Sequence, residues 1–118
     1  MHIERIASTT RLSGAVLHGD LIYLSGQIPD DRQGGCASQT EQVLAKIDSL
    51  LQQAGSHRSN LLSVQIWLKD IERDFTAMNE AWGRWLPAGS APARATTQAD
   101  LASADVLVEM MVIAARPQ

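Results

Sequence analysis

LLSVQIWLKD, residues 61 to 70, sets Leu62, Val64, Ile66 and Leu68 in strict alternation with Ser63, Gln65, Trp67 and Lys69. Period two is the signature of a strand with two unlike faces. The period changes at once: in IERDFTAMNEAWGRWLP, Phe75, Met78, Trp82, Trp85 and Leu86 fall on one helical stripe, with Asp70 as its cap and Pro87 as its terminator. A strand that runs straight into a helix constrains the chain strongly, because the strand that follows must be reached by a crossover. The same switch occurs upstream. LIYLSG, residues 21 to 26, reads as a buried strand between turns. From Ser38, which forms a capping box with Glu41, the residues Val43, Leu44, Ile47, Leu50, Leu51 and Ala54 recur at helical spacing until Gly55 stops them.

Weaker strands are expected around IERIAS and AVLH, and two more at APARATTQAD, 91 to 100, and VLVEMMVIAA, 106 to 115. The order is then strands, helix, strand, helix, strand, strand. Right-handed crossovers place both helices on one face of a single sheet, an α+β arrangement. Its other face stays bare. At 118 residues, read as one domain over 1–118, the chain has little else with which to cover an apolar face carrying Trp67, so burial against identical subunits is expected.

Composition excludes several classes. Apolar residues make up 45% and charged residues 19%, the balance of a folding globular chain. The formal net charge of −3, with no cluster of Lys and Arg, lacks the footprint of a nucleic-acid binder. Cys36 is alone and His2, His18 and His57 are scattered, so neither an internal disulfide nor a metal-ligand spacing is present. Cys36, in a Gly-Gly-Cys loop, is expected to be an exposed bystander, and the histidines surface or turn residues. MHIERIASTT has no apolar leader core and no stretch reaches the roughly 20 apolar residues of a membrane span. A cytoplasmic protein without a membrane partner is expected.

The last two strands carry the chemistry. Arg94 is the only cation of the first, and Glu109 the only charge of the second. Burying either charge alone costs several kcal/mol, so each needs a partner or a task. Alternation puts Arg94, Thr96 and Gln98 on one side, and Glu109 on the same side as Leu107, Met111 and Ile113. If the strands pair as a hairpin with Ala99 opposite Val106, Thr96 faces Glu109, and Arg94 and Glu109 become diagonal neighbours. They would then be either an ion pair at the sheet edge or subunit contact, or a site in which Arg94 holds a carboxylate and Glu109 handles a proton or a water.

LSGQIPDD at 24 to 31, APARATTQAD and VLVEMMVIAA, taken in order with the helix of Phe75, Met78, Asn79 and Trp82, resemble the YjgF/YER057c/UK114 family, also called the reactive intermediate deaminase or RidA family. The shorter N-terminal segment, RIASTTRLSGAVLHGD, is similar to its YoaB branch. The resemblance implies a chorismate-mutase-like fold, a homotrimer, and a site in each cleft between subunits. There, enamines and imines such as 2-iminopropionate are hydrolysed to 2-keto acids and ammonia without a cofactor. It implies that Arg94 grips the substrate carboxylate and Glu109 positions or activates water. Thr96 would offer a backbone N–H to the same carboxylate, with Ser25 and Gly26 at the turn lining the cleft and Asn79 near it.

The sequence departs from the family in two places. Where many members carry a Gly-Pro-Tyr turn, this chain reads Ser13, Gly14, Ala15, Val16, and where they carry Glu-Ile-Glu it reads Glu109, Met110, Met111. A cleft hydroxyl is lost.

Plainer readings stand beside these. Asn79 can be a local hydrogen-bonder, Gly26 can serve backbone freedom alone, and Trp67, Trp82 and Trp85 can be core or contact residues. The same cleft could also serve a noncatalytic module that senses a small carboxylate. Endoribonuclease activity, also known in the family, fits poorly with the net charge.

Overall fold

The computed structural model describes residues 2–117. Strands β1 (Ile3–Ser8), β2 (Ser13–His18) and β3 (Leu21–Leu24) form an antiparallel meander. Helix α1 (Cys36–Gln53) follows, then a single 3₁₀ turn (Arg58–Asn60), β4 (Leu61–Leu68), α2 (Ile71–Trp85), β5 (Ala93–Gln98) and β6 (Val108–Ala115). One sheet results, in the order β1-β2-β3-β6-β4-β5.

α1 opens two residues before Ser38, and the expected capping box does not form. Gly35 stands at the N-cap without a side-chain bond, and Gln39 N donates to Gly35 O at 3.0 Å. Cys36 explains the early start. It is buried (5% exposed), its Sγ 3.7 Å from Thr40 Oγ1 and 3.9 Å from Asp74 O of α2, so it opens the helix as a packing residue rather than as an exposed bystander. Burial raises its thiol pKa. Glu41 turns to Arg84 instead, at 3.6 Å. The far end follows expectation: Gly55, at φ +80°, lets its own N–H reach Gln52 O and that of Ser56 reach Leu51 O. Asp70 caps α2 by accepting from Arg73 N at 3.1 Å.

Both helices lie on one face of the sheet. Val43, Leu44, Ile47 and Leu51 of α1 and Met78 and Trp82 of α2 pack on Ile22, Val64, Ile66, Leu68, Met110 and Val112. A large aliphatic side chain fully buried in this way contributes about 1.5–3 kcal/mol. The opposite face is uncovered. Tyr23 (42% exposed), Met111 (43%), Ile113 and Trp67 share it, as period-two alternation in β3, β6 and β4 requires.

The hairpin expected from the last two strands does not form. β5 pairs in parallel with β4, Val64 opposite Arg94, while β6 runs antiparallel on the other side of β4, Trp67 opposite Glu109. β6 thereby fills the slot between β3 and β4, making contact with both. Apolarity decides the placement. A strand with Val108, Met110 and Val112 on one side and Met111 and Ile113 beside the single charge of Glu109 on the other stabilises most in the interior of a sheet, whereas ARATTQ, polar on one side, suits an edge. The connecting loop steps over the end of β4, with Ala99 N donating to Leu68 O and Lys69 N to Leu107 O, both at 3.0 Å. Gln39, fully buried on α1, holds it from beneath: Nε2 donates to Asp105 O at 2.9 Å, and Oε1 accepts from Leu107 N at 2.8 Å.

Candidate active site

β5 is one of the sheet's two edge strands, and its Arg94, level with buried Val64, points to the helix side. There α2 receives it. Arg94 Nη1 donates to Asn79 Oδ1 at 2.7 Å, and the guanidinium carbon lies 5.9 Å from the ring centroids of both Phe75 and Trp82. Phe75, Asn79 and Trp82 follow one another at i, i+4 and i+7, so one stripe of helix presents an aromatic shelf with a carbonyl oxygen at its middle. Among the described residues no carboxylate pairs with Arg94, which remains exposed. Sequence reading assigned Phe75 and Trp82 only to packing. The signal for more was Asn79, a polar residue set inside their stripe.

Thr96, two residues along, is half-buried on the same side, and its Oγ1 is buried without a hydrogen-bond partner. Because β5 has a neighbour on one side only, alternate backbone N–H groups along it face outward with no partner strand.

Glu109 lies elsewhere. It is level with Trp67 and Thr97, on the uncovered face of the sheet, and three register positions from Arg94, roughly 10 Å along the strands. The diagonal contact expected of the two charges is therefore absent: with β4 between their strands, each lies on its own face. Glu109 is half-buried, and desolvation holds its carboxyl above the ordinary range with no cation opposing it. Ser25 and Gly26 come to it. Gln27 and Met110 exchange backbone hydrogen bonds at 2.8 and 3.1 Å, which brings the turn alongside β6. Ser25 N donates to Gly14 O at 2.9 Å and its hydroxyl to Ser13 O, tying the turn to the first residues of β2.

Of the six residues singled out in the sequence, the structure thus gathers Arg94, Asn79 and Thr96 into one half-site and Glu109, Ser25 and Gly26 into another. The two halves lie on opposite faces. One can bind a planar anion through a fork with free N–H groups, and the other holds a proton-accepting carboxylate in a partly dry setting. A hollow of about 610 Å³ beside Lys69, Asp70, Arg73 and Gln98 lies at the start of α2 and includes none of the six. Among the described residues no group of three or more His, Cys, Asp or Glu side chains could hold a metal ion, and no helix is long and apolar enough to cross a membrane.

An α+β sheet with both helices on one side, an uncovered apolar face and a divided arginine and glutamate pair defines the class of small protein to which this chain belongs. Comparison with known proteins specifies the family. The model of the family described as Endoribonuclease L-PSP matches residues 2–116, and the chain belongs to that family, the YjgF/RidA group, in agreement with its YoaB-like branch. It is 41% identical over 115 residues to a RutC family protein of Haemophilus influenzae, covering 97% of this chain and 98% of that one. Identity to the RutC family protein YoaB of Escherichia coli is 40% over 115 residues, covering 98% and 99%. A crystal structure of a YjgF family member from Neisseria meningitidis superposes with a TM-score of 0.96 at 38% identity, covering 100% of this chain and 98% of that one.

Proposed function

We propose that the protein is a cofactor-independent enamine/imine deaminase, hydrolysing small 2-imino acids such as 2-iminopropionate to 2-keto acids and ammonia. One observation carries this reading: within the chain Arg94 and Glu109 lack counter-charges and occupy opposite faces of one sheet. An ion pair inside the chain therefore does not account for them. A second copy of the chain, docked on the uncovered face, would bring the Arg94 half of one subunit to the Glu109 half of the next. A homotrimer closes that arrangement with the same contact repeated around a threefold axis.

The chemistry then follows from residue type. A 2-imino acid offers its carboxylate to the Arg94 fork and to an outward N–H of β5 near Thr96, which leaves its C=N carbon facing the neighbouring Glu109. Glu109 as carboxylate takes a proton from water while the water oxygen bonds to that carbon, and passes the proton to the imine nitrogen, giving a carbinolamine and restoring the carboxylate. The same carboxylate then takes the carbinolamine hydroxyl proton and delivers it to the departing nitrogen as the C=O bond forms and the C–N bond breaks, and the 2-keto acid and ammonia leave. Raising the carboxyl above its ordinary range strengthens it as a base for this task. The endoribonuclease of the family's description would need a basic track for phosphates, and the formal net charge of −3 does not favour one.

The test is ammonia or 2-keto acid release from freshly generated 2-aminoacrylate by the wild type and by Arg94→Ala and Glu109→Ala variants that still assemble. Acceleration by the wild type, lost in both variants, is expected. No acceleration on 2-aminoacrylate or on bulkier imino acids would defeat the enzymatic reading and leave a carboxylate-sensing module.

A further inference from the structure

Gly26 is not explained by backbone freedom, contrary to the plainest reading of its sequence position. The positive-φ glycines are Gly19, Gly55 and Gly89, so the backbone at Gly26 is one an alanine can adopt. What distinguishes Gly26 is the space beside it. A Cβ added there would stand 2.1 Å from Glu109 Oε2 and 3.1 Å from Glu109 Cδ, and the three nearest atoms all belong to that one side chain. Real non-bonded carbon and oxygen atoms do not approach to 2.1 Å, so the carboxylate already occupies the place a side chain would take. The backbone on either side is fixed by Ser25 N to Gly14 O and by the paired bonds of Gln27 and Met110. Gly26 cannot retreat from Glu109 without breaking them.

We propose that Gly26 is a positioning residue: the gap left by its missing side chain is the seat of the Glu109 carboxylate and fixes where the base stands on the uncovered face. The inference rests on the proposed deaminase for its kinetic consequence and on geometry alone for the seat. The atoms a Cβ would strike form the free end of a flexible side chain, so Gly26→Ala should move the carboxylate and leave the fold. Displaced from the groove between β6 and the turn, the carboxyl meets more water and loses its desolvation. Within the chain no nearby charge competes with this effect. The turn residues Ser25, Gly26 and Gln27 carry no titratable group, nor do Gln65 and Trp67, which share the face of β4. Lys69, just beyond β4, is 3.6 Å from Asp100, and the phenol of Tyr23 stands opposite Ile113, four residues along β6.

The experiment is a ¹³C NMR titration of the Glu109 carboxyl in the assembled wild type and in Gly26→Ala, with thermal melts of both and of the same substitution on a Glu109→Ala background. The midpoint of Gly26→Ala should fall below that of the wild type. Removing Glu109 should abolish any effect of the alanine on the melt. In the imino acid assay Gly26→Ala should lower kcat on the order of 100-fold, the scale of a roughly 1 Å misplacement, with KM little changed because Arg94 still holds the substrate. An unchanged midpoint in Gly26→Ala overturns the inference, as does an equal loss of stability with and without Glu109. If the wild type accelerates nothing while the midpoint moves as expected, the deaminase reading fails and the seat stands.

Discussion

Arg94→Lys separates a forked donor from a point charge at one position. In the structure the guanidinium spends Nη1 on Asn79 Oδ1 at 2.7 Å, which leaves its Nη2 and Nε N–H groups for a carboxylate. Lysine keeps the charge and part of the cation–π contact with Phe75 and Trp82, but its single nitrogen must divide itself between Asn79 and the substrate. One hydrogen bond to a charged group is lost, worth about 1.5–3 kcal/mol, or roughly 10- to 150-fold in affinity. The bond is made alike before and during the reaction, so the loss should fall on KM with kcat nearly kept. Arg94 is exposed and has no ion-pair partner among the described residues, so the melting temperature should stay close to that of the wild type. Initial rates of 2-keto acid release against imino acid concentration measure the split. A variant with unchanged KM, or with kcat alone reduced, would show that Arg94 does not grip the substrate as described.

Glu109→Gln should make the protein more stable at neutral pH while removing activity. A carboxyl raised in the folded state contributes fully below its unfolded pKa and loses that contribution as pH rises through the folded one, so the variant's advantage should vanish in acid; denaturant melts across that range show whether the gap closes. Trp67→Lys, placed in the uncovered face, should dissociate the assembly into folded monomers by sedimentation, and a trimer that persists would remove that face from the contact. Asp70→Ala should cost about 1 kcal/mol through loss of the α2 cap, read as a lower melting temperature, and an unchanged melt would mean that the bond to Arg73 N adds nothing. Cys36, buried against Thr40 and Asp74, should resist thiol reagents in the native protein and react once denaturant is added; rapid native reaction would contradict its burial.

Local signals in the sequence carried most of the fold. The change of period at Asp70 and again at Gly55 marked element ends that the structure keeps, because a cap and a left-handed turn act over three or four residues. Ser38 misled for an equally local reason. Ser-x-x-Glu satisfies orphan N–H groups wherever a helix begins, but burying Cys36 against α2 and Gln39 beneath the last loop fixed the start two residues earlier. Tertiary packing outweighed a cap, and nothing adjacent in the sequence shows what Cys36 would meet.

The pairing of the last two strands was a different kind of miss, because the face of each residue was right and the conclusion drawn from it was wrong. Arg94 and Thr96 do share a side, and so do Glu109, Met111 and Ile113. A hairpin would have made those two sides one. Inserting β4 between the strands leaves each parity intact and lets Val64 carry Arg94 to the helix side while Trp67 carries Glu109 to the other. Neighbours in sequence usually pair, but two sides of apolar residues reserve β6 for the interior, and that preference was legible in VLVEMMVIAA had it been weighed against loop length. The consequence reaches the site. A hairpin would have let Arg94 and Glu109 neutralise each other and would have made an ion pair sufficient, whereas the observed order keeps a guanidinium and a half-dry carboxylate apart, each at a stability cost that pairing would have relieved. In the proposed assembly that separation is what makes them useful, since both would remain free for a ligand where the uncovered face of one copy met the edge strand of another.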